Sequence, residues 1–451
     1  MQFPGKGASF INTLSSISTE AENISIIETT LQFREKLLGL IKDAQQRIYM
    51  TALYLQDDAS GQEVLSAIYE AKQANPKLDV KIFVDFSRAQ RGLMGQPESI
   101  GNVRLYREYA GKFEHQIDIL GVPVKSKEML GVLHLKGFVF DDTLLYSGAS
   151  LNDIYLQQNS RYRYDRYHVI KDKKLTDSMV SFMQRYLATS SAVKSLTEPT
   201  ALSKKQLKPL IRQFKKSLRV GNYQFTPDLN PLEKEDVAIT PLLGFGGRRN
   251  PLNMTIYDMV KNTRDKIIIF TPYFNFPNKV SKAIRRILKN GKKVNIVVGD
   301  KVANDFYIPE DQAFNRIGIV PYIYETNLRK FVKRNQKFVD TGLLNIHLWL
   351  HDDNSFHLKG MSCDDSCHLI TGHNINPRAW SLDLENGILI QDPNQQLKEK
   401  FQHEYQQILT HTNRIDHFEQ IQTINDYPDA ACKLMKNVKR AKLDSILNRL
   451  L

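Results

Sequence analysis

An imidazole and an ammonium group occur together at two places in this chain of 451 residues. His134 and Lys136 belong to one copy of the string HLKG, and His357 and Lys359 belong to the other. Histidine can act as a nucleophile or a general acid, and lysine supplies positive charge for a phosphate. Two imidazoles flanking two ammonium groups suit displacement at a phosphodiester, because the lysines stabilise the charge that develops on phosphorus oxygens. The pattern therefore predicts one site with these four catalytic residues, no metal and no cofactor.

A G-x-x-x-N frame follows each HLKG and adds a carboxamide, Asn152 in the first copy and Asn376 in the second. We predict that both asparagines are catalytic. Each HLKG is also followed by an aspartate, Asp141 or Asp364. If each HLKG continues as a strand, its histidine and lysine share one face and the aspartate points to the other. The two aspartates are therefore predicted to be structural.

A histidine nucleophile needs a carboxylate that fixes its tautomer. Asp165 and Glu385 lie shortly after the asparagine of their half of the chain, and we predict that they serve the two histidines. The alternative for each is a solvated surface charge.

The elements that must position these residues also occur twice. RIYMTALYL (47–55) resembles KIIIFTPYF (266–274), and in both places a helix-like stretch and a second apolar run follow before HLKG. Strands alternating with helices predict α/β layers with a largely parallel sheet. We predict two similar halves, at 25–195 and 236–430. A basic helix and connector at 196–235 joins them, and a basic amphipathic tail at 431–451 follows.

Paired H-x-K-x4-D motifs with the Gly/Asn elements after them resemble the phospholipase D superfamily. The resemblance implies two α/β domains of that type, related by pseudo-twofold symmetry and sharing one active site at their interface. It also implies that His134 is the nucleophile and His357 the acid and base, although the reverse order stays open. Ala149 and His373 stand where the superfamily usually has serine after the glycine.

Longer strings, GASLNDIY, VGDKVANDFYIPED, ITGHNINPRAW and SLDLEN, are similar to one branch of that superfamily. That branch transfers the phosphatidyl group from CDP-diacylglycerol to L-serine in phospholipid biosynthesis, through a phosphatidyl-histidine. Local spacing alone leaves a phospholipase, a cardiolipin synthase and a nuclease open. Candidates to bind phosphate, cytosine or the serine carboxylate, each with a structural role as the alternative, are Arg88, Arg91, Tyr273 and Arg378.

The charge balance indicates a polyanionic partner, since 62 Lys and Arg against 49 Asp and Glu give a net charge of +13. This favours an anionic membrane or nucleic acid without choosing between them. The cysteines, Cys363, Cys367 and Cys432, are too few for a disulfide framework and fit a reducing cytosol. Cys363, Cys367 and His368 alone do not complete a zinc site. No apolar run approaches the roughly 18 residues of a membrane span.

Three basic stretches with apolar residues at helical spacing, 204–219, 327–338 and 433–450, are predicted to lie on an anionic phospholipid surface. The alternative for each is a solvated face over the core. The predicted membrane-binding residues are Lys208, Arg212, Lys215, Lys216, Arg329, Lys330, Lys333, Arg334, Lys436, Lys439 and Arg440. We expect a cytoplasmic protein associated peripherally with the cytoplasmic face of the inner membrane. A homo-oligomer stays open, as does a catalytically silent lipid-binding or RNA-binding protein, against which both intact His/Lys pairs argue.

Overall fold

The computed structural model describes residues 9–91, 101–125, 128–199, 203–228, 232–441 and 444–451. Two mixed β-sheets form the centre, and helices cover them. The helices are α1 (Thr30–Asp43), α2 (Ala59–Ala74), α3 (Phe86–Ala89), α4 (Val103–Lys112), α5 (Lys173–Phe182), α6 (Lys204–Val220), α7 (Pro251–Lys261), α8 (Asn278–Lys289), α9 (Val320–Asp340), α10 (Pro377–Ser381), α11 (Lys398–Leu409), α12 (Asp429–Arg440) and α13 (Asp444–Leu450).

The first sheet takes its strands from the first half of the chain. Its order is β10 (Lys194–Ser195), β5 (Asp118–Val122), β4 (Asp79–Asp85), β3 (Arg47–Ala52), β6 (Phe138–Phe140), β7 (Thr143–Ser147), β9 (Tyr167–Lys171) and β2 (Ile24–Ile27). Strands β5, β4 and β3 are parallel, whereas β3, β6, β7, β9 and β2 pair antiparallel in succession.

The second sheet repeats this arrangement. Its order is β1 (Ile17–Glu20), β11 (Asp236–Phe245), β18 (Leu384–Gln391), β17 (Cys367–Thr371), β16 (Gly360–Cys363), β12 (Lys266–Thr271), β13 (Lys293–Gly299), β14 (Leu344–Trp349) and β19 (Thr412–Ile415). Strands β14, β13 and β12 are parallel, and β12, β16, β17 and β18 are antiparallel. The duplication is therefore visible in the topology, while the domain boundaries themselves stay a prediction.

The expectation of a largely parallel sheet is wrong. After each HLKG the chain turns back through a short loop, at 141–142 in the first half and 364–366 in the second. Loops this short can join only antiparallel neighbours, whereas a parallel connection needs a dozen or more residues. Within these two sheets, only the described strands before each HLKG, which are separated by helices, pair in parallel.

HLKG itself is not part of a long strand, which corrects a second expectation. Strands β6 and β16 begin only at Phe138 and Gly360. The residues before them are extended because they bond across the two halves instead of within a sheet. His134 donates its backbone N–H to Leu384 O at 2.9 Å, and His357 donates its own to Tyr164 O at 2.8 Å.

Asp141 and Asp364 occupy matching turns after these strands, with φ of 49° and 54°. The Asp141 carboxylate accepts three consecutive backbone N–H groups, from residues 45–47, at 2.7–3.0 Å. Asp364 does the same with residues 264–266 at 2.9–3.0 Å. Each carboxylate thus holds the start of the neighbouring parallel strand, a set of contacts of the kind that a structural role requires.

The apolar residues of the first two basic stretches pack inside the protein, which is the alternative of a face over the core, and membrane binding by the basic residues stays a prediction. In α6, the apolar residues Leu207, Ile211, Phe214 and Leu218 are buried in the core. The corresponding residues of α9, Leu328, Phe331 and Val332, are buried as well, and Leu447 of the tail is partly buried. An amphipathic pattern indicates an apolar neighbour without saying which one. Residues 442 and 443 of the predicted tail lie outside the described residues.

Candidate active site

Each predicted histidine pairs with a carboxylate from the other half of the chain. His134 Nδ1 lies 2.9 and 3.0 Å from the two carboxylate oxygens of Glu385. His357 Nδ1 lies 2.8 Å from Asp165 Oδ2. The structure therefore brings these four predicted residues together at the interface of the halves. When the carboxylate is ionised, Nδ1 must carry the proton, which directs the Nε2 lone pair of each ring into the site.

The backbone positions both pairs in the same way. Leu133, before the first histidine, forms a parallel bridge with Leu384, before Glu385. In the other half-site, the short strand β15 (Ser355–Phe356) pairs in parallel with β8 (Arg163–Tyr164). Each histidine and its carboxylate thus follow directly after paired backbone segments, so the fold itself fixes their separation.

The two lysines are buried beside the histidines, each 1% exposed. Lys136 Nζ donates to Ala149 O at 3.2 Å, and Lys359 Nζ donates to Asp165 Oδ2 at 3.2 Å. The glycines of the G-x-x-x-N frames make room for them. A Cβ at Gly372 would lie 2.6 Å from Lys136 Cγ, and one at Gly148 would lie 2.9 Å from Lys359 Nζ.

The two asparagines are oriented alike. Asn152 Oδ1 accepts the N–H of Tyr155 at 3.1 Å, and Asn376 Oδ1 accepts the N–H of Ala379 at 2.9 Å. This use of the oxygen turns each side-chain NH₂ outward as a donor. The Asn152 NH₂ donates to Gln56 Oε1 at 3.3 Å, whereas the Asn376 NH₂ donates to the backbone oxygen of Leu451.

Burial keeps both imidazoles neutral in the free protein. Burial and then the charge of Lys359 lower the pKa of His357 to about 3. Burial and then the charge of Lys136 hold the pKa of His134 well below its ordinary value. Burial, reinforced by their mutual repulsion, also lowers the pKa of Lys136 to about 7, and burial lowers that of Lys359 to about 8. A neutral imidazole is the form that a nucleophile requires.

The two carboxylates differ in charge state. Burial raises the pKa of Glu385 to about 7. Burial opposes ionisation of Asp165 as well, but the charge of Lys359 and the hydrogen bond from His357 lower the pKa of Asp165 to about 2. The half-sites are therefore alike in geometry and unequal in electrostatics.

Tyr155 distinguishes the two imidazoles further. Its OH lies 2.9 Å from Nδ1 and 3.2 Å from Nε2 of His357. Among the described residues, no hydrogen bond reaches Nε2 of His134. The free lone pair of His134 suits a nucleophile, and the hydroxyl beside His357 suits a group that exchanges a proton. No feature of the sequence singled out Tyr155.

The residues directly after the two carboxylates were also missed by the sequence analysis. Arg166 donates to the Glu404 carboxylate at 2.8 and 2.6 Å and to Lys359 O at 3.4 Å. Asn386 accepts the N–H of Lys136 at 2.8 Å and donates to Lys136 O at 2.8 Å. Each contacts the backbone of the lysine in the opposite half, so both position the site. Their adjacency to predicted carboxylates is the signal that could have identified them.

The three candidate arginines gather around Glu128. Arg91 forms two bonds to its carboxylate, at 2.6 and 2.7 Å, and Arg378 donates to Glu128 O at 2.9 Å. Arg88 lies 3.9 Å from the same carboxylate and 4.8 Å from the ring centroid of Tyr54. Arg378 also donates to Asp383 at 3.1 Å, and Asp383 accepts the N–H of Val132, two residues before His134, at 2.9 Å, which places this cluster beside the His134 half-site.

Tyr273 lies on the other side of the site. Its ring centroid is 6.3 Å from that of His357, and its OH donates to Asp305. Asp305 lies 3.6 Å from Arg163, whose guanidinium covers the ring of Tyr155 at 4.9 Å. The wall beside His357 is therefore aromatic with one partly buried ion pair, whereas the wall beside His134 is rich in arginine.

His373, which departs from the superfamily pattern, is fully buried. Its Nδ1 accepts the N–H of Ile375 at 2.9 Å, and burial lowers the pKa of His373 to about 4. Its charge, when present, lowers the pKa of Glu385. The corresponding Ala149 donates its N–H to Ser147 Oγ at 3.1 Å. Neither residue supplies the hydroxyl that a serine would bring.

In the described part of the chain, no group of three or more His, Cys, Asp or Glu side chains is arranged to hold a metal ion. The charge that faces a phosphate comes from Lys136 and Lys359. We therefore expect turnover to persist in excess chelator. Loss of activity with EDTA that Mg²⁺ or Mn²⁺ restores would contradict this expectation.

Comparison with known proteins gives consistent matches. The family model described as "Cardiolipin synthase, PLD-like domain" matches residues 37–187 and 256–409. The chain is 43% identical to the CDP-diacylglycerol–serine O-phosphatidyltransferase of Haemophilus influenzae, over 98% of this chain and 97% of that protein. It is 44% identical to the Escherichia coli enzyme of the same name, over 97% and 96%. A crystal structure of phosphatidylserine synthase from Haemophilus influenzae superposes with a TM-score of 0.93 at 42% identity, covering 98% of both chains.

Proposed function

The chain belongs to the phospholipase D-like family and within it to the CDP-diacylglycerol–serine O-phosphatidyltransferases, and from this premise we propose a double displacement at phosphorus for its reaction. The phosphatidyl group passes from CDP-diacylglycerol to a histidine and from there to L-serine, giving phosphatidylserine and CMP. One observation carries the proposal: two histidine–carboxylate pairs share one interface with two buried lysines.

In the first step, Nε2 of His134 attacks the phosphorus that bears diacylglycerol. A P–N bond forms, and the P–O bond to CMP breaks with its electron pair leaving on the CMP phosphate. His357 takes up a proton from solvent once the anionic liponucleotide is bound beside it, and gives that proton to the leaving oxygen. Lys136, Lys359 and the NH₂ groups of Asn152 and Asn376 are the donors that stabilise the charge on the phosphorus oxygens.

In the second step, neutral His357 takes the proton of the serine hydroxyl. The serine oxygen attacks phosphorus, a P–O bond forms, and the P–N bond breaks with its electron pair returning to His134. Both histidines end in their starting forms. Glu385 and Asp165 hold each ring in the tautomer that these steps require and stabilise its charged form.

Arg88 is our candidate to bind the serine carboxylate. Its Nε is buried and has no hydrogen-bond partner among the described residues, and an arginine fork matches a carboxylate. Arg91 and Arg378 already bond to the Glu128 segment and support the same wall.

A product assay tests the reaction. CDP-diacylglycerol is incubated with and without labelled L-serine, and the lipids are separated. We expect CMP release that depends on serine and yields labelled phosphatidylserine. Equal CMP release without serine, with phosphatidic acid as the product, would indicate a hydrolase. Cleavage of DNA or RNA with no reaction on the liponucleotide would indicate a nuclease.

An exchange assay tests the histidine adduct separately. Labelled CMP should enter CDP-diacylglycerol in the absence of serine, because the phosphatidyl-enzyme can return its group to CMP. A protein that makes phosphatidylserine without this exchange would transfer in one step, and the adduct would be wrong.

Access to a lipid substrate must come from the surface of the protein. No helix of the described residues combines the length and apolar character that a membrane crossing needs. We infer peripheral binding at the mouth beside the arginine cluster, where Met129 and Leu130 are 66% and 46% exposed. Lys125 stands nearby in sequence, and burial, then the charge of Lys215 on α6, lowers the pKa of Lys125. Lys215 of α6 is thus a neighbour of Lys125.

Binding to anionic vesicles is expected to weaken with salt, since about 1 M salt shortens the Debye length from about 10 Å to about 3 Å. Charge reversal at Lys436, Lys439 and Arg440, all exposed on α12, should lower vesicle binding more than turnover in neutral detergent micelles. The matched control reverses three exposed charges on α8, at Arg285, Arg286 and Lys289. Equal sedimentation of both variants with vesicles would remove α12 from the binding surface.

A further inference from the structure

Helix α13 lies against the second half-site and occupies two of its amide donors. The Asn376 NH₂ donates to the backbone oxygen of Leu451. The Asn275 NH₂ donates to the backbone oxygen of Asn448 at 2.9 Å. Asn448 belongs to the last turn of α13, where carbonyl groups have no partner within the helix, and Leu451 follows the helix directly.

The first half-site shows the same donors without such a helix. Gln56 follows β3 at the position that Asn275 holds after β12, so the two residues match in the duplicated halves. In the first half, the Asn152 NH₂ donates directly to Gln56 Oε1 at 3.3 Å. In the second half, the matching pair, Asn376 and Asn275, bonds to α13 instead. In the second half, α13 therefore stands where the first half has a direct contact between the two amide side chains.

The same place has an apolar wall next to the reacting groups. Leu447 of α13 and Leu451, the residue after the helix, pack against a cluster that includes Tyr273 and Tyr324. The rings of these tyrosines stack with centroids 5.2 Å apart. Because Tyr273 also lies beside His357, at 6.3 Å between centroids, the cluster continues into the active site.

We propose that this place is the diacylglycerol subsite of the enzyme and that α13 occupies it while no lipid is bound. The helix presents two carbonyl oxygens and two branched apolar side chains. Diacylglycerol presents two ester carbonyls, which only accept hydrogen bonds, and two acyl chains. Asn275 and one N–H of the Asn376 NH₂ supply donors for the carbonyls, while the second N–H of Asn376 remains for the phosphorus oxygens. The wall of Tyr273 and Tyr324 supplies contact for the chains. The inference rests on the proposed function, since it takes a diacylglycerol lipid as the substrate.

Displacement of α13 is physically reasonable because the helix is short. It spans seven residues, and isolated helices of this length are marginal in water. Its contacts are replaceable one by one, since each amide N–H that releases a backbone oxygen can donate to an ester carbonyl instead. The docked helix competes with the lipid. The apparent affinity for CDP-diacylglycerol is therefore the intrinsic affinity multiplied by the fraction of molecules in which the subsite is open.

A variant ending at Ala441 tests the competition in mixed micelles. If the docked helix leaves the subsite open in about a tenth of the molecules, its removal should lower the KM for CDP-diacylglycerol about tenfold. The KM for serine should stay unchanged. Leu447→Asp in the full chain should act in the same direction and covers the case in which the shortened chain fails to fold. Arg449→Ala, on the exposed side of α13, is the matched control and should leave KM unchanged. An unchanged or raised KM for CDP-diacylglycerol in a folded Leu447→Asp variant would overturn the proposal.

Hydrogen exchange gives a readout that does not depend on turnover. The Leu451 N–H bonds to Leu447 O at 2.9 Å, so the end of α13 is protected in the lipid-free protein. We expect this protection to fall on addition of micelles that contain CDP-diacylglycerol or phosphatidylserine, and to persist with CMP or with detergent alone. Loss of protection with either lipid in a protein that makes no phosphatidylserine would support the subsite and reject the reaction. Unchanged protection in an active enzyme would reject the subsite and leave the reaction intact.

Discussion

Replacing His134 or His357 by alanine is expected to lower kcat for serine-dependent CMP release by at least about 10³-fold. Each ring takes part in both chemical steps, one as nucleophile and the other as acid and base, and neither role has a substitute nearby. The fold should survive, because the rings lie in a polar interface with 8% and 7% of their surface exposed and do not belong to the apolar core. Thermal unfolding and the product assay, run on the same preparations, measure the two effects.

The double variant and a control histidine sharpen this expectation. Residues that act as one catalytic unit lose activity non-additively, so the double variant should be about as inactive as either single one. His403→Ala is the control, since that side chain is 58% exposed and pairs with Glu28 at the surface. Near-normal kcat in either single variant would mean that the site does not use two histidines.

The order of the histidines can be read from the adduct. Digestion of enzyme quenched after mixing with CDP-diacylglycerol should give the phosphatidyl group on the peptide that contains His134. This follows from the free Nε2 of His134 and from the Tyr155 hydroxyl beside His357. A modified His357 would reverse the assignment and leave the double displacement intact.

The duplication and the histidine–lysine pairs could be predicted because they are local. HLKG and its G-x-x-x-N frame are short strings, and their spacing is visible without any fold. The crossed pairing of Asp165 with His357 and of Glu385 with His134 is not local, because each pair joins residues 192 or 251 positions apart. Nothing within one half indicates that its carboxylate serves the histidine of the other half.

A sequence pattern does not show what packs against an apolar surface, and the predictions that depend on this were inaccurate. The apolar spacing of α6 is the same whether Leu207 and Phe214 face lipid or protein, and here they face the core. Strand direction was misjudged for a related reason. The segments around HLKG are apolar and short in both sheet types, and only the loop length at 141–142 and 364–366 distinguishes an antiparallel return.

Replacing Asp165 by asparagine is expected to lower kcat on the order of 10²–10⁴-fold, as loss of a tautomer-fixing carboxylate does in other histidine-dependent enzymes. The Asp165 carboxylate accepts from Nδ1 of His357 at 2.8 Å and from Lys359 Nζ at 3.2 Å. An asparagine NH₂ in this place would donate to Nδ1 and move the ring proton to Nε2. His357 could then no longer accept the serine proton through Nε2.

The pH dependence separates Asp165 from Glu385. The pKa of Glu385 is raised to about 7, so its ionised form, which pairs with His134, is lost as the pH falls through 7. The pKa of Lys136 is lowered to about 7 and that of Lys359 to about 8, so their positive charges are lost as the pH rises through 7 and then 8. For the wild type we therefore expect kcat/KM to fall on both sides of a maximum near pH 7, with an acid limb from Glu385 and an alkaline limb from the two lysines, because kcat/KM reports the free enzyme.

The two carboxylate variants should change this profile in different ways. Glu385→Gln removes the group that titrates near 7, so its residual activity should lack the acid limb. Asp165 has a pKa of about 2 and is ionised over the whole assay range, so Asp165→Asn should keep the acid limb at a much lower rate. The variant also removes the carboxylate beside Lys359, whose charge burial disfavours, so the alkaline limb should move to lower pH. The opposite result, an acid limb that disappears in Asp165→Asn and persists in Glu385→Gln, would mean that Asp165 is the carboxylate that titrates near 7. The electrostatic distinction between His134 and His357 would then be reversed.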